Sequence, residues 1–175
     1  MVAVSAEGMA ADIGAILAKK GIVDIHIVCS MYEAVDLMLE QVFDYFVVDG
    51  ELCLSSAADN VRLAGVDFVR FIRMCAGPVS EAHILFLRSD TKSQNLLEAN
   101  AEVMEARDGG ASCIIGRPFT AGKYNEIVEP VLRGNRAFIR EKSYVGPCRR
   151  HNDRTVAVER RAHPTPKRRL RTADS

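Results

Sequence analysis

The sequence predicts an α/β fold in which five β–α units, traversed once, build a doubly wound five-stranded parallel sheet. Three observations predict it. Short continuous apolar runs alternate with segments whose apolar residues recur at helical spacing. Residues 45–48 (YFVV) and 84–87 (ILFL) are apolar at every position, as in strands buried on both faces. Each run reaches the next through a helical segment, which implies parallel strands, right-handed crossovers and two covered faces.

Residues 2–4 (VAV) form the first strand. Met9, Ile13, Ile16 and Leu17 share one helix face over residues 9–20, and Gly21 stops that helix. Residues 25–29 form the second strand. Ser30 caps a helix over residues 31–41, with Val35, Met38 and Leu39 inward. The third strand, residues 45–48, ends abruptly at Asp49-Gly50. Residues 51–64 are irregular and polar, long for a connection in a compact α/β domain. They cover the sheet end, dock a partner or form a plain surface insertion. Residues 65–75 read as a helix through Val66, Val69, Phe71 and Ile72, and Gly77-Pro78 breaks the chain. The fourth strand, residues 84–87, ends at Arg88-Ser89-Asp90. Thr91 or Ser93 caps the next helix, which runs to about Asp108 and stops at Gly109-Gly110. Residues 112–116 form the fifth strand. Arg117-Pro118 follows, and Thr120 caps a last helix to about Arg133.

At 175 residues, 48% apolar and 26% charged, the composition is globular and excludes collagen-like and wholly disordered chains. Lys plus Arg equals Asp plus Glu, at 23 each. The neutrality is a cancellation: residues 1–130 carry 10 basic and 19 acidic side chains, residues 131–175 carry 13 basic and 4 acidic. We therefore divide the chain into a domain, residues 1–133, and a basic, mostly disordered C-terminal tail, residues 134–175. Disorder is expected from about Cys148 onward, where Arg149-Arg150, Arg160-Arg161 and Lys167-Arg168-Arg169 flank Pro164 and Pro166. The tail lacks interleaved aromatics and any helix-turn-helix pattern, so nucleic acid is not an expected partner, except non-specifically through phosphate contacts of the tail. No apolar run approaches the ~18 residues of a membrane span. The first residues lack the Lys or Arg of a signal peptide, and Glu7 and Asp12 interrupt the apolar stretch, so a cytoplasmic location is expected. Cys29, Cys53, Cys75, Cys113 and Cys148 share no metal-ligand spacing and read as reduced packing thiols. His26, His83, His151 and His163 read as structural or solvated.

Sheets of this kind gather ligands at the carboxyl ends of their strands. The residues there are Ser5-Ala6-Glu7, Asp49-Gly50-Glu51, Arg88-Ser89-Asp90 and Arg117. No Gly-rich phosphate loop follows the first strand and no paired general acid and base stands at the strand ends, so neither a nucleotide binder nor an enzyme is expected.

Residues 43–49 (FDYFVVD), 65–73 (GVDFVRFIR) and 106–120 (ARDGGASCIIGRPFT) resemble the response-regulator receiver (CheY-like) family of bacterial two-component signalling, over residues 2–133. Residues 143–150 (SYVGPCRR) are similar to an aromatic-x-Gly-Pro-Asp-Arg-Arg tail found after some bacterial receivers, with Cys148 at the Asp position. The resemblance implies a flavodoxin-like receiver fold. It also implies a single-domain response regulator in a phosphorelay, accepting a phosphoryl group at Asp49 from a histidine kinase or phosphotransfer protein. Signalling would then pass by protein–protein interaction to a downstream protein or a second copy.

The departures from the family pattern matter equally. Its acidic pair after strand 1 falls on Ser5 and Ala6, leaving only Glu7 beside them. Its hydroxyl residue falls on Arg88, with Ser89 one place on. Its lysine before proline is Arg117, and its aromatic switch residue is Ile114. The implied phosphate pocket is therefore Arg117, Arg88, Ser89 and Glu7 around Asp49. Asp49 and Glu51 are the carboxylates offered to a metal. The arginines cancel the negative charge that Mg2+ requires, so Mg2+ binding is expected to be weak and an Arg–Asp49 pair is the expected resting state. The alternative is a phosphorylation-independent pseudo-receiver that serves as an interaction scaffold.

Overall fold

The computed structural model describes residues 1–52, 54–55, 62–89, 96–134 and 136–149. In chain order its elements are β1 (Val2–Ala3), α1 (Glu7–Lys19), β2 (Ile27–Val28), α2 (Met31–Glu40), β3 (Tyr45–Asp49), β4 (Leu54–Ser55), β5 (Arg62–Leu63), α3 (Gly65–Met74) and β6 (His83–Leu87). Then come α4 (Leu96–Asp108), β7 (Cys113–Ile115), α5 (Ala121–Lys123), α6 (Glu129–Arg133), β8 (Phe138–Glu141) and β9 (Tyr144–Pro147). A 3-10 turn over Pro78–Glu81 precedes β6.

The main sheet is parallel throughout, in the order β2-β1-β3-β6-β7. That is the doubly wound arrangement expected, with its switch point between β1 and β3. Alternation along the strands splits the core in two. Phe46 and Val48 of β3 and Ile84 and Phe86 of β6 face α2 and α3, where Met31, Ala34, Phe68, Val69 and Ile72 are buried. Val47, Leu85 and Leu87 face the other layer, Ile13 and Leu17 of α1 with Phe119, Tyr124 and Val128. Two-sided burial is why these strands read as unbroken apolar runs.

Local chemistry sets the helix ends. Ser30 Oγ accepts the Glu33 N–H at 3.1 Å and starts α2. Asp67 Oδ2 accepts the Ala64 N–H at 3.0 Å and starts α3. Thr120 Oγ1 accepts the Lys123 N–H at 3.3 Å and starts α5. Between α5 and α6 the backbone is π-helical over Tyr124–Val128, and two residues on stands Pro130, which has no N–H to donate.

Several expectations change. Leu39 is 82% exposed rather than inward. The buried stripe of α2 runs through Met31, Ala34, Val35 and Met38, and the next residue lies about 100° round the helix. Phe71 is likewise partly exposed, at 43%. Part of the 51–64 stretch is regular: Leu54 and Ser55 pair antiparallel with Leu63 and Arg62. The stretch assigned to the tail contains a hairpin, β8 paired with β9. The proposed caps Thr91 and Ser93, residue Cys53 and the tail beyond Arg149 lie outside the described residues.

The hairpin docks at the amino ends of the strands on Arg73, a buried residue of α3. Arg73 Nε donates to Gly110 O at 2.9 Å, and Nη1 donates to Ser80 O and Ala82 O, both at 2.7 Å. Nη2 reaches Ser112 Oγ at 3.3 Å, and the guanidinium lies 5.3 Å from the Phe138 ring centre. One side chain thus ties α3, the turn before β6, the turn before β7 and β8 together.

Candidate functional site

Four strands bring their carboxyl ends side by side, and the residues that leave them form one cluster. Asp49, the last residue of β3, is fully buried. Its Oδ2 accepts the Ser5 N–H at 2.9 Å and the Ser5 hydroxyl at 2.6 Å. Its Oδ1 accepts the Glu51 N–H at 3.0 Å and a bond from Arg117 Nη2. The other terminal nitrogen of Arg117, Nη1, reaches Glu51 Oε2 at 2.9 Å. The guanidinium therefore forks between two carboxylates instead of gripping one.

Backbone packing fixes Asp49 from below. Gly50 N donates to Leu87 O at 2.8 Å and Leu52 N to Asp49 O at 3.0 Å. A Cβ on Gly65 would stand 2.0 Å from the Asp49 carbonyl oxygen, so the start of α3 presses directly on this residue and admits only glycine. Arg117 sits on a turn clamped by Lys123, whose Nζ donates to Gly116 O at 2.7 Å and Pro118 O at 2.9 Å. The Arg117–Pro118 peptide is cis.

Of the residues singled out from the sequence, Asp49, Glu51 and Arg117 are brought into direct contact. Ser89 lies beside them but is held by Glu102 of α4: its hydroxyl donates to Oε1 at 2.6 Å, and its N–H faces Oε1 at 3.1 Å and Oε2 at 3.3 Å. Arg88 leaves β6 with its N–H on Ile115 O at 2.9 Å. The Nε atoms of Arg88 and Arg117 are buried without a hydrogen-bond partner among the described residues. Glu7 opens α1 with its side chain exposed and makes none of the four bonds to Asp49. It acts instead on Cys29, whose thiol is pushed up by burial first and then by Glu7 and Glu33.

Sequence reasoning missed two participants. Ser5 stands where the family pattern carries an acid, yet it supplies two of the donors to Asp49. Glu102 carried no signal, because a glutamate inside a helix reads as solvated. A cavity of about 350 Å³ lies at the opposite ends of the strands, lined by residues including His83, Ser112, Arg133, Phe138 and Pro147, and touches none of this cluster. Among the described residues no group of three or more His, Cys, Asp or Glu is arranged to hold a metal, and no helix is long and apolar enough to cross a membrane.

No family model and no curated protein matches the chain. Solved structures do. A response regulator from Burkholderia pseudomallei, with a phosphorylated aspartic acid, calcium ion and citrate, matches at 18% identity and a TM-score of 0.53, over 77% of this chain and 65% of that one. The chemotaxis response regulator CheY4 of Vibrio cholerae matches at 17% identity and 0.57, over 74% and 94%. The N-terminal domain of a response regulator/sensory box/GGDEF 3-domain protein from Carboxydothermus hydrogenoformans matches at 22% and 0.56, over 75% and 91%. The fold is that of CheY-like response-regulator receiver domains.

Proposed function

We propose that Asp49 accepts a phosphoryl group from a histidine kinase or phosphotransfer protein, and that the chain signals through protein–protein contact rather than by catalysis. The observation that carries this reading is the Asp49 carboxylate, wholly buried at the carboxyl end of the central strand. Carboxylates are seldom fully buried unless paired or put to use. This one also stands at the strand ends where sheets of this topology bind ligands.

In the proposed step a carboxylate oxygen of Asp49 attacks phosphorus. The P–N bond of a phosphohistidine breaks, its electron pair stays on the imidazole nitrogen, and that nitrogen takes up a proton. The product is an acyl phosphate. Phosphoryl transfer rests mainly on positioning and charge neutralisation. Ser5 fixes Oδ2, and the Arg117 guanidinium stands at Oδ1, where its planar fork matches phosphoryl oxygens. Arg88 directly follows β6 at the same sheet edge.

The residues present do not fit a tightly held Mg2+. Asp49 and Glu51 both lie against Arg117, and Ser5 and Ala6 supply no carboxylate. A cation there would have to displace the guanidinium, so the charge neutralisation is assigned to the arginines. The same observation supports a second reading, a scaffold on this fold whose Asp49 stays in its ion pair.

Incubating the full chain with acetyl phosphate and following intact mass separates the two. Gain of one phosphoryl mass, absent from Asp49→Asn, is the expected result. No adduct on the native chain, at donor levels that label an ordinary receiver, rejects the phosphoacceptor role and leaves the scaffold.

A further inference from the structure

We infer that the outer face of α2 is a docking surface for a basic segment of this same chain, residues 154–161. The docking needs nothing from Asp49. Between Gly21 and Val61 the chain carries eight Asp or Glu and no Lys or Arg. Helix α2 lies inside that stretch, and its Tyr32, Glu33, Asp36, Leu39 and Glu40 are all exposed. At about 100° per residue these five share roughly one third of the helix circumference. Tyr32 is 60% exposed and Leu39 82%, two turns apart with Asp36 between them. The face is therefore apolar and acidic together. On α3 and α6 an acid pairs with an arginine of its own helix, Asp67 with Arg70 and Glu129 with Arg133. Asp36 and Glu40 form no salt bridge among the described residues.

The complement stands further along the chain. Residues 150–175 carry eight Lys or Arg and three Asp or Glu, a net of +5. Within them, residues 154–161 (RTVAVERR) set the run TVAV between Arg154 and the pair Arg160-Arg161. An apolar run flanked by cations meets apolar side chains flanked by carboxylates. The same face repels phosphates and anionic surfaces.

Reach is sufficient. Met31 and Ala34 of α2, Phe68 and Ile72 of α3 and Ala106 of α4 belong to one core, so the three helices lie on one side of the sheet. Each links two parallel strands and runs against them, so Glu40 and Asp108, at the ends of α2 and α4, both lie at the amino ends of the strands. Arg149 is fixed there. Its Nη1 meets Asp108 Oδ1 at 2.7 Å, and its guanidinium lies 3.9 Å from the Tyr144 ring centre. Two interhelical spacings of about 10 Å separate that point from α2. About six extended residues cover the distance, which brings residues 154–161 within reach. Exposed ion pairs are individually weak, but a tether this short holds the segment at millimolar effective concentration.

The test uses the full chain as native protein, Asp36→Lys/Glu40→Lys, Arg160→Glu/Arg161→Glu and the combination of all four, each checked for a native melting transition. Hydrogen exchange of residues 154–161 and amide NMR shifts of α2 are read in about 50 mM and about 500 mM salt. In the native chain at low salt residues 154–161 are expected to be protected. Protection should fall about fivefold or more at high salt and in either reversal, with the Tyr32 and Leu39 amides shifting in step, and the combination should recover it. Dilution from about 500 to about 10 μM should leave it unchanged, since a contact within one chain does not depend on concentration. Exchange and α2 shifts unmoved by either reversal overturn the docking. Protection lost in salt but kept in Asp36→Lys/Glu40→Lys puts the segment elsewhere on the acidic domain, and overturns it too. Loss in both reversals without recovery in the combination overturns the charge pairing. Protection lost on dilution makes the occupant a second copy's segment and overturns docking within one chain.

Discussion

Arg117 and Arg73 sit at opposite ends of one sheet and are held by different kinds of partner. Arg117, at the carboxyl ends, faces two carboxylates, Asp49 and Glu51. Arg73, at the amino ends, faces three backbone carbonyls, one hydroxyl and an aromatic ring. Burial pushes the Arg73 guanidinium down to about 10. An ion pair can exchange one anion for another, because a phosphoryl group offers the guanidinium what a carboxylate does. Carbonyls in turns have no second partner to exchange with, and losing the arginine leaves them buried and unpaired. The lesson is that an arginine serves two ends: at one it pairs with side-chain carboxylates, at the other it fastens backbone.

That contrast can be broken most forcefully at the fastening. Arg73→Met should cost about 3 kcal/mol or more in urea unfolding, since several buried acceptors lose their donor at once. A loss under about 1 kcal/mol would mean that water or neighbouring donors replace the guanidinium and that the two ends do not differ as argued.

At the other end the sharper readout is binding. Ser5→Asp, Ala6→Asp and Arg117→Lys together restore two carboxylates and free Asp49 from its fork. Mg2+ affinity measured by calorimetry should rise at least about tenfold, close to 1.4 kcal/mol. An unchanged titration would show that Ser5 and Ala6 do not occupy the cation-binding positions.

The smallest effect is expected where the hairpin meets the fastening. Phe138→Ala removes the ring under both Arg73 and Arg140. It should cost about 1 kcal/mol and raise hydrogen exchange across residues 138–147 while leaving the Asp49 cluster unaltered. Exchange confined to its native level would mean that the strand pairing alone holds the hairpin.

Legibility followed the same division. β3 and β6 were plain in the sequence because burial on both faces writes itself into every position. β1 and β2 pair through two residues each, so their register has little to print. The hairpin is faint in the sequence because Phe138, Ile139, Tyr144 and Val145 alternate weakly among charged residues. Its support comes from Arg73 and from a Gly110 backbone far away in the chain. At the site, Asp49 and Arg117 are legible because each stands at the end of an apolar run. Ser5 reads as a lost acid and is a donor; Glu102 is invisible in the sequence because the contact that defines it spans from α4 to the residues after β6.

The sequence by itself determined the layered α/β plan and which residues reach the carboxyl ends of the strands, since periodicity and adjacency are local properties. Only the tertiary structure decided how those ends are wired. Which oxygen Ser5 holds, how the Arg117 fork divides and what occupies Ser89 depend on distances between elements, and hydrogen bonds lose their hold within a fraction of an ångström.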